Sequence, residues 1–141
     1  HKGLWQLAVH VLIGPSDEKC EDYGVAPGLR ERIRTNIKRD DDWVWPSMDG
    51  KITGYDWNLL EMGSVSGDEF LAILKHSLDL KIKGNRAPIV FGGHTALYPV
   101  APPDRRQAMA AFIDYALQHE FVRFVSPTQL INWMKDPQTI E

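Results

Sequence analysis

Cysteine is nearly absent from this sequence: Cys20 is the single one among 141 residues, so no disulfide can form within the chain. No apolar run has the length that spans a membrane, and we expect no transmembrane segment. The first four residues, HKGL, are not typical of a secretory signal. Sixteen basic residues against nineteen acidic ones give a net charge of −3, which argues against a broad nucleic-acid-binding surface.

Catalytic signatures and linkers are also scarce. The sequence has no G-x-S-x-G motif, so a hydrolase with a serine nucleophile is the least favoured enzyme class. It has no internal repeat and no low-complexity linker. With 43% hydrophobic and 25% charged residues, it has the composition of a soluble globular protein. We therefore expect residues 1–141 to belong to one domain.

The most informative stretch is Arg86 to Tyr98, which reads RAPIVFGGHTALY. Its apolar run, Pro88 to Phe91, lies between glycines and predicts a short buried strand. His94 follows at the carboxyl end of that strand, where α/β folds place ligand chemistry. On position alone, a core or loop role for His94 is favoured over a catalytic one.

Two further apolar runs predict strands. Leu4 to Ile13 is almost continuously apolar, as in a strand covered on both faces, and Phe121 to Val125 is similar. Gln6 and His10 interrupt the first run and lie on one face of it. They are either hydrogen-bonded core groups or residues facing a barrel lumen. Lys51 to Gly54 predicts a further short strand.

Four helices are predicted from caps and periodicity. The first is Leu29 to Lys38. The second starts at the capping box of Ser66 and Glu69 and ends at Gly84, with His76 on its exposed side. The third helix starts at Asp104 and the fourth at Ser126. In the third helix, the residues expected to face the core are Met109, Phe112, Ile113, Ala116 and Leu117.

Alternating strands and helices predict an α/β fold with a mostly parallel sheet and outer helices. A closed eight-unit α/β barrel needs about 200 residues or more. This chain is shorter, so we expect it to form only part of such a barrel. Its open sheet edges favour pairing with another segment.

An acidic, tryptophan-rich segment follows the first helix. Asp40, Asp41 and Asp42 form either a solvated loop or, with less support from their spacing, a calcium site. Trp43 and Trp45 beside them are candidates for stacking on a sugar ring.

Three features together resemble the carboxyl-terminal half of polysaccharide deacetylases with the NodB homology domain (carbohydrate esterase family four). They are the apolar strand ending GLWQLAVHVL, the pair Asp56 and Trp57 in GYDWN, and the run APIVFGGHT followed by a helix, FVRFVS and a final short helix. The resemblance implies a distorted, incomplete (β/α) barrel. It also implies removal of acetyl groups from chitin-like or peptidoglycan-like amino sugar polymers.

The resemblance implies a divalent metal, zinc or a similar ion, whose ligands lie upstream of this chain. None of the chain's histidines forms the i, i+4 pair that would replace them, so we expect no catalytic metal ligands here. In the implied chemistry, a metal-bound water attacks the acetamide carbonyl and a general acid protonates the departing amine. By resemblance His94 is that acid, and Asp56 is the carboxylate that orients its imidazole and favours the charged form.

The resemblance also assigns substrate-binding residues. Trp57 would form a wall of the groove and stack on the sugar. Gly92 stands where the family usually has a leucine that lines the acetate pocket, so we expect Phe91 or Leu97 to line it, or a different acyl group to fit. From the residues alone, Asp56 can instead cap a helix and Trp57 can be a core residue.

The expected partners are an acetylated glycan and the missing amino-terminal half of the domain, or another chain at the open sheet edge. Secretion or a cell-envelope location is implied by the resemblance alone. The alternative function is a non-catalytic carbohydrate-binding or scaffold domain with the same half-barrel.

Overall fold

A computed structural model of the chain describes residues 3–40, 49–53, 56–100 and 103–137. Two strands, β1 (Leu12–Ile13) and β2 (Lys51–Ile52), pair antiparallel, with Leu12 opposite Ile52. Helices α1 (Asp17–Cys20) and α2 (Leu29–Asp40) lie between them. After β2 come a π-helical turn, three longer helices and a short 3₁₀ turn, with bounds Asn58–Met62 for the π turn, Gly67–Lys83 for α3, Thr95–Leu97 for the 3₁₀ turn, Asp104–Leu117 for α4 and Pro127–Lys135 for α5.

Helix α3 forms the centre of the core, and its start confirms the predicted capping box. The Ser66 hydroxyl accepts from the backbone N–H of Glu69, and the Glu69 carboxylate accepts from the backbone N–H of Ser66. Phe70 and Ile73 of α3 are fully buried. The helix packs against α4 and β1, and this arrangement fixes the framework on which the candidate site is built.

Helix α2 confirms the first predicted helix, Leu29 to Lys38. Its apolar positions at i, i+4 and i+8, Leu29, Ile33 and Ile37, are all buried in the same core as α3. Helix α5 likewise begins at the predicted cap, with Ser126 and Gln129 forming a second capping box.

One prediction about α3 is wrong: His76 is buried, not exposed. Tyr23, in a 3₁₀ turn after α1, covers it, and the Tyr23 hydroxyl lies 3.2 Å from Nδ1 of His76. Both Tyr23 and Tyr115 of α4 donate to the carboxylate of Asp79, at 2.9 and 2.6 Å. Burial, followed by the hydrogen bond to Asp79, raises the pKa of Tyr115 to about 12. This carboxylate joins α3 to the two segments beside it.

The start of α4 also differs from its predicted form. Asp104 is the first helical residue, but Pro103 precedes it as the cap and no side chain caps the helix. Ala116 is buried as predicted. Ile113 and Leu117 were also expected to face the core, but both are exposed.

The apolar run from Leu4 to Ile13 is only partly a strand. Leu12 and Ile13 pair with β2, but Leu4 is 77% exposed and Val11 is also exposed, because no element in the described part of the chain covers them. Among the described residues, strand pairing is confined to Leu12 and Ile13, and the expected cover on both faces of the whole run stays a prediction. Gln6 is exposed, and His10 is half-buried and hydrogen-bonded.

The other two predicted strands have no paired partner strand among the described residues. Pro88–Phe91 is tied to the first run by reciprocal bonds: His10 N–H donates to the Val90 carbonyl at 2.8 Å, and Val90 N–H donates to Nδ1 of His10 at 3.3 Å. Phe121–Val125 is irregular and largely exposed. The predicted parallel sheet and partial barrel are not tested by two short strands and stay predictions.

Several sequence-based hypotheses lie outside the described residues. They are the calcium site at Asp41 and Asp42, the stacking role of Trp43 and Trp45, and the positions of Gly54 and Tyr55. Across the ranges that are described, no helix combines the length and the apolar character that crossing a membrane requires.

Candidate active site

The candidate site is formed by two segments that are far apart in sequence. Asp56 lies at the helical turn that leads into the π-helical segment, and His94 lies immediately before the 3₁₀ turn. Nδ1 of His94 is 2.6 Å from Oδ1 of Asp56, and the backbone N–H of His94 donates to Oδ2 at 2.6 Å. One residue therefore binds both oxygens of the carboxylate.

The two members of this pair differ in exposure. Asp56 is completely buried, whereas the side chain of His94 is 52% exposed. An ionised carboxylate only accepts hydrogen bonds, so Nδ1 of His94 carries the proton in this contact. The carboxylate thus fixes the imidazole in one orientation and directs Nε2 to the opposite side of the ring.

The segment that carries Asp56 is held by both flanking helices. From α2, the Asn36 amide donates to the Gly63 carbonyl at 2.9 Å. From α4, Arg105 donates to the Leu60 carbonyl at 3.3 Å and forms an ion pair with Glu61 at 2.7 Å. These bonds restrict the position of the turn on which Asp56 lies.

The segment that carries His94 is held by the core and by Asp56 itself. The backbone N–H of Asp56 donates to the Gly92 carbonyl at 3.2 Å. Phe91 packs its ring against Phe70 of α3 at 6.1 Å between centroids, and Leu97 is buried in the hydrophobic core. The local chain is therefore anchored on both sides of His94.

The predicted groove residues occupy different environments. Trp57 is 49% exposed, with its ring in edge contact with that of His94 at 6.1 Å. The alternative that Trp57 is a core residue is therefore wrong. Asp56 binds His94 and does not cap a helix. Phe91 is half-buried, while Leu97 is only 7% exposed. Whether Phe91 and Leu97 line an acyl pocket stays a prediction.

Sequence reasoning missed Tyr98. Its ring lies 6.4 Å from that of Phe70, and its hydroxyl is buried beside Asp56 without a hydrogen bond that meets ordinary geometry. The available signal was an aromatic residue with a polar tip four positions after His94.

The described residues do not fit a metal site. Among them, no group of three or more histidine, cysteine, aspartate or glutamate side chains could hold a metal ion. The chemistry that this part of the chain can support is proton transfer through a carboxylate-bound imidazole.

The site is thus a His–Asp pair, joined through ring and backbone, beside an exposed aromatic ring. The chain is similar to chitin deacetylase 1 of Bombyx mori, with 32% identity over 111 residues, which is 78% of this chain and 20% of that protein. It therefore contains a polysaccharide deacetylase-like region and spans about a fifth of the length of that relative. No protein-family model and no solved structure matches the chain.

Proposed function

We propose that this chain forms part of a metal-dependent polysaccharide deacetylase, in which His94 is the general acid and Asp56 its orienting carboxylate. The substrate is an acetylated amino sugar polymer or oligosaccharide of the chitin or peptidoglycan type. The similarity to a chitin deacetylase supports hydrolysis of this kind. The observation that carries the proposal is the contact of 2.6 Å between Nδ1 of His94 and the buried Asp56 carboxylate.

The geometry suits protonation of a leaving group. An amine is a poor leaving group until it is protonated, so a proton donor must reach the amide nitrogen as the carbon–nitrogen bond breaks. Asp56 binds Nδ1, and Nε2 is then the atom of His94 that delivers the proton. The negative charge of Asp56 stabilises the imidazolium that the donor requires. The half-exposed ring allows a polymer chain to approach.

Trp57 supports the carbohydrate specificity of the proposal. Its exposed ring borders His94, so a sugar stacked on the indole would place a neighbouring acetamido group near the imidazole. Phe91 and Leu97 would then form the apolar side of the acyl pocket, in place of the side chain that Gly92 lacks. Trp57 is the residue among them that presents an exposed aromatic face to a sugar.

The water-activating divalent metal, zinc or a similar ion, would be held by residues outside this chain. We propose that these residues belong to an amino-terminal half of the same domain or to another chain. Four large apolar residues in two separate runs are exposed, which supports a partner that would cover them: Leu4, Val11, Phe124 and Val125. Such a partner would complete the barrel.

The proposal is tested by acetate release from acetylated chito-oligosaccharides, using the full-length protein that carries this chain. His94→Ala should lower kcat by about 100-fold or more and leave substrate binding, measured by calorimetry, nearly unchanged. His119→Gln is the matched control, because the His119 ring contacts Tyr115 and Phe121 and not Asp56.

Two results would overturn the proposal. Unchanged turnover in His94→Ala would remove His94 from the role of acid. Binding of the oligosaccharide without any acetate release by the unmodified protein would favour the alternative, a non-catalytic carbohydrate-binding domain. The exposed Trp57 is the observation that favours this alternative.

A further inference from the structure

Tyr98 occupies a defined place at the end of the turn that His94 begins. The Leu97 N–H donates to the His94 carbonyl at 2.9 Å, and the Tyr98 N–H donates to the Thr95 carbonyl at 3.2 Å. The Tyr98 ring packs against Phe70 at the edge of the core. The backbone that places His94 therefore also places Tyr98.

The hydroxyl of Tyr98 is buried, and among the described residues it has no hydrogen-bond partner. Buried polar groups without a partner are rare in folded proteins and call for an explanation. Two observations show what the hydroxyl faces. A Cβ atom at Gly93 would lie 3.5 Å from Oδ2 of Asp56 and 3.9 Å from Cε2 of Tyr98, so the carboxylate and the phenol ring approach the same point.

The second observation is electrostatic. Burial is the largest cause that raises the pKa of Tyr98 well above its ordinary value, followed by the negative charge of Asp56 and by hydrogen bonding of the phenol to its carboxylate. Arg105 acts in the opposite direction, and its own charge is compensated by the ion pair with Glu61. Asp56 is thus the anionic group that the phenol faces.

We propose that Tyr98 is a positioning residue, whose hydroxyl donates a hydrogen bond to the Asp56 carboxylate and thereby sets the strength of the Asp56–His94 contact. The inference rests on the proposed function for its catalytic meaning. Hydrogen bonds of catalytic groups are often long in the free enzyme and tighten when substrate binds. The Tyr98 hydroxyl is buried beside the carboxylate and makes no hydrogen bond of ordinary geometry, which fits that state.

The physical reason lies in what a buried carboxylate requires. A carboxylate has about four acceptor positions, and Asp56 uses two of them for His94. Asp56 is fully buried, so a polar group of the protein beside it, such as the Tyr98 hydroxyl, is in a position to be a further donor. A bond from Tyr98 places a further donor on the carboxylate, which His94 then shares. Without that bond, the carboxylate would attract the Nδ1 proton of His94 more strongly.

The first experiment measures the phenol directly by NMR of ¹³Cζ-labelled tyrosine in the full-length protein, with the Tyr98 signal assigned from its loss in Tyr98→Phe. In Asp56→Asn, the pKa of Tyr98 should fall, because the charge that raises it is gone. In the control Asp79→Asn, the pKa values of Tyr23 and Tyr115 should fall and that of Tyr98 should stay. An unchanged Tyr98 titration in Asp56→Asn overturns the inference.

The second experiment measures function and the His94 proton. Tyr98→Phe should lower kcat by about tenfold with KM nearly unchanged. The low-field proton resonance of His94 Nδ1–H should move further downfield. The matched control is Tyr115→Phe, which removes a hydroxyl bonded to Asp79 and should leave both readings unchanged.

A rise in KM with constant kcat would instead make Tyr98 a substrate contact and overturn the inference. A proton resonance that does not move in Tyr98→Phe would do the same. Neither NMR readout requires turnover. If the protein releases no acetate but both NMR predictions hold, the proposed function fails while the contact between Tyr98 and Asp56 stands.

Discussion

Both oxygens of the Asp56 carboxylate bind His94, which is 38 positions away in sequence: Oδ2 accepts from its backbone N–H and Oδ1 contacts ring Nδ1, each at 2.6 Å. The backbone bond fixes the position of the residue, and the ring bond fixes the orientation of the imidazole. A rotation of the imidazole away from this orientation would break a hydrogen bond to a completely buried carboxylate. The two bonds together therefore make His94 a preorganised group on an otherwise irregular segment.

Asp56→Asn should separate orientation from charge. The amide of asparagine has one acceptor oxygen, so it cannot accept both N–H groups of His94 in the same geometry, and it carries no charge to stabilise an imidazolium. We expect kcat for acetate release to fall by about 10- to 100-fold. The free energy of unfolding, measured in urea, should fall by about 1–3 kcal/mol, because one N–H group of His94 loses its buried acceptor. Full activity in Asp56→Asn would contradict the orienting role.

Trp57→Ala should weaken substrate binding more than it slows the chemical step. Removing the exposed indole should raise KM by about fivefold, equivalent to roughly 1 kcal/mol of aromatic contact, with kcat nearly constant. Trp57→Phe keeps an aromatic face and should recover part of the loss. Steady-state kinetics on oligosaccharides of increasing length would check this. Equal KM values for all three proteins would show that the ring does not contact the sugar.

Ser66→Ala should destabilise the whole fold, because the capping box begins the central helix α3. The expected loss is about 1 kcal/mol in the free energy of unfolding, measured by urea denaturation. Ser126→Ala removes the same cap from α5, which has no fully buried residue, and should mainly increase amide exchange within that helix. If both variants lost global stability equally, α5 would belong to the same cooperative unit as α3.

His76 should make stability depend on pH. Burial, followed by the positive charge of Arg30, lowers the pKa of His76 below its ordinary value of 6.5, while Asp79 acts the other way and Lys83 and Lys19 add to the lowering. The unfolded chain therefore binds a proton at a higher pH than the folded one. Stability from this group is complete above about pH 6.5 and is lost as the pH falls through the folded pKa.

His76→Gln should flatten that dependence. Urea denaturation of the natural protein and of the variant, measured at a series of pH values on both sides of 6.5, would show the difference. Parallel curves across that interval would mean that His76 does not titrate differently in the folded and unfolded states.

Local signals in the sequence predicted the helices well. The pairs Ser66–Glu69 and Ser126–Gln129 both form capping boxes, because these bonds join residues only three positions apart and need no tertiary partner. The apolar stripe of α2 is buried as its spacing predicts. The strand predictions were less successful, because a strand needs pairing partners that are distant in sequence. The described residues provide few such partners for Leu4–Ile13 and for Phe121–Val125.

The residues of the candidate site were named from sequence, but their relationship was not visible there without the resemblance. From the sequence alone, Asp56 could cap a helix and Trp57 could pack in the core, and both alternatives are locally reasonable. His76 was predicted to be exposed, but it is buried under Tyr23. The prediction failed because helical periodicity describes one helix and not the segments that pack on it. For Tyr98 the only local signal was an aromatic residue with a polar tip four positions after His94, and this does not indicate that its hydroxyl is buried.

The sequence by itself determined where helices start and end and which residue types were available for proton transfer, because these properties depend on neighbours within a few positions. Only the tertiary structure decided that Asp56 meets His94, that Trp57 stays exposed beside them and that Tyr98 faces the carboxylate. These contacts join separate segments, and their formation depends on the packing of α2, α3 and α4 around a common core. Packing of that kind is set by the whole chain and not by any single segment of it.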